Sequence, residues 1–178
     1  GWRNRNRVKT SNGPIWLTIP VINKGVRTNH TPINQIQIDW SQNWTRKHWT
    51  TIEQSYGKAP FFALYASILK DVYNQRYEFL AELTIELTIR LASALGIKET
   101  TFIKSSSLHS AGTKTDRLLT ILKALAATHY ITGPTAKSYL DESKLASSGI
   151  SIEYMAYDYP LYNQLYPPYE SQISILDL

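Results

Sequence analysis

The chain has 178 residues, 43% of them hydrophobic and 19% charged, so it can bury a sizeable core, and no apolar run approaches the about 18 residues that a membrane span needs. It contains no cysteine, which excludes disulfides, thiolate zinc sites and thiol nucleophiles. Its formal charge of +5 is gathered near the N-terminus and points to an anionic partner on that side.

The chain opens on Trp2-Arg3-Asn4-Arg5-Asn6-Arg7-Val8-Lys9, an alternation of period two. It predicts a strand with Arg3, Arg5, Arg7 and Lys9 on one face and Asn4, Asn6 and Val8 on the other. Ile15-Trp16-Leu17-Thr18-Ile19 is β-rich and halted by Pro20, and Gln35-Ile36-Gln37-Ile38-Asp39 alternates, so both read as strands around a polar loop at residues 23–30. The period then changes. Trp44, His48, Trp49, Ile52 and Tyr56 fall on one side of a helix that Asp39 or Ser41 could cap and that Gly57 and Pro60 end. Phe61, Leu64, Tyr65, Ile68, Leu69 and Val72 form a second helical stripe. Leu80, Leu83, Leu87, Leu91 and Ala94 form a third, closed by Gly96. Beyond it, Thr101 to Lys104 reads as a strand, residues 116–128 as a helix, Tyr130 to Thr132 as a strand, residues 136–147 as a helix ending at Gly149, and Ile150 to Tyr154 as a strand. The Tyr- and Pro-rich stretch 154–169 reads as an ordered arm pinned by its aromatic rings. Helices alternating with short apolar strands predict a single α/β domain over 1–178, a mixed or mainly parallel sheet flanked by helices. The start at Gly1 and the apolar close Ile173 to Leu178 read as a fragment cut at both ends, and with no charged-then-apolar leader the cytoplasm is the expected compartment.

Residues 1–58 carry nine Lys and Arg against Asp39 and Glu53, a surplus of seven, and all five Trp; the rest of the chain holds ten bases against twelve acids. A row of guanidinium groups suits phosphate or carboxylate oxygens, because Arg binds them bidentately and keeps its charge. On composition alone the row reads equally well as a solvated basic edge strand. His48, on the tryptophan side of its helix, is a candidate base near neutral pH; the plainer alternative is a His anchored to a backbone carbonyl. Ser105-Ser106-Ser107, with Lys114 further on, and Gly133 to Lys137 both follow predicted strands, where α/β proteins place ligands. Gly112-Thr113-Lys114-Thr115 is not a P-loop, since no Gly directly precedes Lys114, and Thr113 with Asp116 also reads as a helix cap. The scattered His30, His109 and His129 lack metal-ligand spacing, so no metal site is expected, and no cofactor can be read from the chain.

Trp2-Arg3-Asn4-Arg5-Asn6-Arg7-Val8-Lys9-Thr10, followed by Gly13 and Trp16-Leu17-Thr18-Ile19-Pro20-Val21, resembles the WbqC-like family of bacterial proteins. The likeness runs on through Trp44, His48, residues 56–62, Ser106-Ser107, Tyr130 to Gly133, Tyr139-Leu140-Asp141, Tyr162-Asn163-Gln164 and Ser174 to Leu178. The resemblance implies a His-Gln-Pro segment and a further strand ahead of Gly1 and a continuation past Asp177. It also implies a setting in O-antigen and other surface-polysaccharide synthesis, with transfer of glycine or another amino acid to a sugar. On that reading the chain is a transferase moving an acyl or aminoacyl group to an amino sugar. Arg3, Asn4, Arg5, Arg7 and Lys9 would hold an anionic, nucleotide-linked sugar, with Gly133, Lys137 and Tyr139 completing the binding set. His48 would take the amine proton, and Ser106, Ser107 or Lys114 would bind the oxyanion. The alternatives are a nucleotide-binding or nucleotidyl-transfer domain and, ranked last because the basic surplus stops early, a nucleic-acid-binding module.

Overall fold

The computed structural model describes residues 4–24, 26 and 29–178. Two compact units make up the chain, one combining Gly1–Thr100 with Leu161–Leu178, the other spanning Thr101–Pro160.

In the first unit, strands β1 (Arg5–Thr10) and β2 (Gly13–Thr18) pair antiparallel, with Thr10 opposite Gly13. Only two residues link them, and Gly13 sits at φ +100°, a backbone that side chains oppose. Three helices follow, α1 (Trp44–Tyr56), α2 (Phe62–Asn74) and α3 (Leu80–Ala94), each where the 3.6-residue period predicts it. Gly96 at φ +85° ends the third. Val8 packs with Ile52, Tyr56 and Leu69 in one buried cluster, and Ile38, Trp44, Val72, Leu80 and Leu83 form another. Tyr73 and Leu87 pack against both. Full burial of side chains such as Ile52 and Leu83 contributes about 1.5–3 kcal/mol each. Leu161–Leu178 returns to β1, where Ser174 N donates to Arg7 O.

The second unit places α4 (Lys114–Ala124), β3 (His129–Thr132), α5 (Glu142–Ala146) and β4 (Ser151–Tyr154) around a core of Leu122, Leu145 and Ile150. β3 and β4 are parallel neighbours, with His129 opposite Ser151. They form a short βαβ unit with Gly149, at φ +75°, leading into β4.

The fold is therefore mixed α/β, but among the described residues the strands form two separate pairs, one antiparallel and one parallel, in place of one flanked sheet. Residues 35–39 make only isolated bridges, Val21 to Ile38 and Gln37 to Phe79, because Pro32 and the 3-10 turn Ile33–Gln35 leave too short an extended run for a ladder. Residues 101–104 are irregular. The helix expected over 136–147 breaks into a 3-10 turn, Pro134–Ser138, and α5, since Asp141 caps a new start by accepting from Lys144 N at 3.3 Å. α1 begins after Asn43 with no side-chain cap, and the Asp39 carboxylate accepts from Ser41 N instead. α4 starts at Lys114 without a cap from Thr113, while the Asp116 carboxylate meets Lys144 Nζ at 2.6 Å.

Candidate functional site

The basic row is placed as its alternation predicts, from Arg5 onward; Arg3 lies outside the described residues. Its charges are engaged within the chain. Arg5 lies 4.4 Å from the Trp16 ring centroid, and Arg7 pairs with Glu170 at 3.3 Å. Lys9 is only 2% exposed, and its ammonium donates to Gln164 Oε1 at 2.5 Å and to the Pro168 carbonyl. Asn4 donates to the Ile19 carbonyl at 2.9 Å. The returning segment 161–178 thus supplies the acceptors that sequence reasoning assigned to a ligand.

His48 is 6% exposed. Its Nε2 lies 3.1 Å from the Thr18 carbonyl, so Nε2 carries the proton, and Nδ1 is left as the acceptor for the Tyr73 hydroxyl at 3.4 Å. The ring also stands edge-on to Trp44 at 5.2 Å. This ties β2 to α1 and α2, and burial holds the imidazole below its usual pKa. Both nitrogens are occupied by the scaffold.

The other expected site residues belong to the second unit. Ser106 and Ser107 lie in the exposed 3-10 turn Ser105–Ser107, with Ser107 Oγ donating to Lys104 O at 2.7 Å. Lys114, exposed, starts α4 at φ +48°. Gly133 precedes the Pro134–Ser138 turn at the carboxyl end of β3, Lys137 lies 4.8 Å from the Tyr154 ring centroid, and Tyr139 is exposed. Tyr154 donates to Glu142 at 2.6 Å. Gly133, Lys137 and Tyr139 thus share one turn beside Tyr154, while among the described residues no hydrogen bond or ion pair joins Ser106, Ser107 or Lys114 to it. His129 sits between Ser151 Oγ at 2.6 Å and Glu153 at 3.0 Å on the exposed face of β3 and β4.

The first unit also holds a cavity of about 460 Å³ that the sequence did not announce. Its body is apolar, lined by Phe61, Phe62, Leu69, Leu91 and Leu95 among others, and one corner is polar, with Tyr56, Gln164 and Asp177. Here the second helical stripe departs from expectation. Phe61 is 64% and Leu64 66% exposed, and Phe61 borders this opening, while Phe62 beside it packs against Trp49.

A continuous network builds the polar corner. Tyr56 is 4% exposed and its oxygen accepts from Lys9 N at 2.8 Å. Tyr162 donates to the Asp177 carboxylate at 2.9 Å and accepts from Gln164 Nε2 at 3.1 Å. Gln164 also bonds Glu170 N and O, both at 2.9 Å, so its amide is fully used. Burial first, then the Asp177 charge, pushes the Tyr56 phenol well above its ordinary range, and the Tyr162 phenol is raised as well. Both phenols are therefore neutral, and Tyr162 orients the Asp177 carboxylate. The signals for this corner were present but unpaired: Asn163-Gln164 inside an aromatic stretch, and Asp177 inside an apolar one. Among the described residues no group of three or more His, Asp or Glu is placed to hold a metal, and no helix is long and apolar enough to cross a membrane.

These features define a mixed α/β protein whose first unit holds a cavity with an apolar body and one polar corner. The chain belongs to the WbqC-like protein family, whose model matches residues 1–178. It is 38% identical over 179 residues to a protein of Mycobacterium tuberculosis named "Uncharacterized protein Rv1507c", a match spanning 99% of this chain and 76% of that one. No solved structure matches.

Proposed function

We propose that the chain is a transferase that moves an acyl or aminoacyl group onto an amino sugar during assembly of bacterial surface polysaccharide, and that the first unit's cavity holds the transferred group. The observation that carries this reading is the cavity itself: its volume lies within the range of ligand sites, its walls are apolar, and its one polar corner is fixed by hydrogen bonds before any ligand arrives. The setting in polysaccharide synthesis comes from the family resemblance. Phosphate binding by Arg7 and Lys9 would have to displace Glu170, Gln164 and Pro168, so a sugar nucleotide enters with less support than the group it accepts.

The test is direct conversion. Purified protein is incubated with UDP- or dTDP-linked amino sugars and activated acyl or aminoacyl donors, and the sugar is followed by mass spectrometry. The expected result is a mass gain equal to one acyl residue, lost when the cavity is filled by Ala66→Phe. Binding of donor and acceptor without any conversion would overturn the transferase reading.

A further inference from the structure

We propose that this cavity recognises a primary ammonium group carried on an apolar body, with Asp177 as its counter-charge. The proposal deepens the transferase reading, on which it rests for the identity of the reaction, by making the donor an activated hydrophobic amino acid.

Among the described residues, Asp177 is the only charged side chain in the lining. Among the described residues no Lys, Arg or His forms an ion pair with it; its side-chain hydrogen-bond partner is the neutral hydroxyl of Tyr162 at 2.9 Å. The Lys9 ammonium is turned to Gln164 and Pro168. A carboxylate offers about four acceptor sites, so the Tyr162 hydroxyl leaves it able to take an ammonium. The same negative charge repels carboxylates and phosphates. Beyond the corner the lining turns apolar at Phe61, Phe62, Leu69 and Leu91, which suits a leucyl- or phenylalanyl-sized side chain. Glycine, having no side chain, would leave that space empty, so the geometry favours a larger donor than the glycine that the family's setting suggests.

The test reads binding alone, by calorimetry, with 2-phenylethylamine, 2-phenylethanol and 3-phenylpropionate as probes of one shape and three charges. The amine is expected to bind at least about tenfold more tightly than the alcohol, the increment of a hydrogen bond to a charged group, and the acid not at all. Asp177→Asn should erase the preference for the amine, and Ala66→Phe should abolish binding, with circular dichroism confirming that both variants fold. If Asp177→Asn fails to fold, the comparison of amine and alcohol on the unaltered chain decides. Equal affinity for the two, tighter binding of the acid, or no binding of the amine would overturn the proposal. A chain that prefers the amine yet transfers nothing would sink the transferase reading and leave this one standing.

Discussion

Removing the Tyr56 hydroxyl should cost more than the loss of one oxygen suggests. In Tyr56→Phe the Lys9 N–H loses the oxygen it meets at 2.8 Å, and with Lys9 2% and Tyr56 4% exposed, water has little room to replace it. An unsatisfied buried donor costs about 1–3 kcal/mol, so about 2 kcal/mol is expected. For a chain of this length that lowers the melting temperature by about 4–8 °C. Tyr65→Phe is the control: it lines the same cavity, but among the described residues its hydroxyl has no hydrogen-bond partner, so its cost should stay within about 0.5 kcal/mol. Urea unfolding of the two variants gives the comparison, with the midpoint shifting at constant slope. Equal midpoints for the two would refute the claim that the Lys9 amide depends on Tyr56.

Burial holds the His48 pKa below its ordinary 6.5, so the unfolded chain takes up a proton there before the folded one does. Stability is therefore full above pH 6.5 and falls on acidification by up to about 1.4 kcal/mol per pH unit until the folded imidazole also protonates; urea midpoints at pH 5.5 and 7.5 should differ less in His48→Gln. At the other extreme, burial pushes the Tyr73 phenol up to about 12, so stability is kept below pH 10 and lost as pH rises from 10 to about 12. Tyr73→Phe should soften that alkaline loss, measured by fluorescence-detected unfolding, and an unchanged profile would contradict the assignment. A Cβ at Gly57 would sit 2.5 Å from the Glu53 carbonyl oxygen, whereas one at Gly133 meets nothing within 4 Å. Gly57→Ala should thus destabilise by about 1–3 kcal/mol and Gly133→Ala by less than about 0.5, read as melting temperatures.

The helices of the first unit were legible because their signals are local: Trp44, His48, Ile52 and Tyr56 repeat at helical spacing, and all four are buried on α1. The hairpin was half legible, since alternation placed the basic face of β1 but could not name its partners. Gln164 and Pro168 lie 155 and 159 residues from Lys9, and no periodicity spans that distance. Short alternating runs misled at 35–39, where alternation accompanies isolated bridges without a ladder. The break between Ser138 and Glu142 was hidden because Asp141 reads as helix interior in the apolar pattern while acting as a cap in space. Of the site, sequence offered side chains in isolation, and the cavity exists only where α1, α2 and α3 meet residues 163–165 and 175–178.

The interleaving of the two units separates chain order from folding order. The second unit is contiguous and can close as soon as Pro160 is made, whereas β1, synthesised before it, waits for Gln164, Pro168 and Glu170. Joining ends that far apart carries a loop-closure entropy of about 4–5 kcal/mol unless structure formed in between shortens the path. Until then the Lys9 ammonium stays hydrated and the cavity lacks its carboxylate. A ribosome-bound chain would therefore complete the later unit before the cavity of the first unit can form.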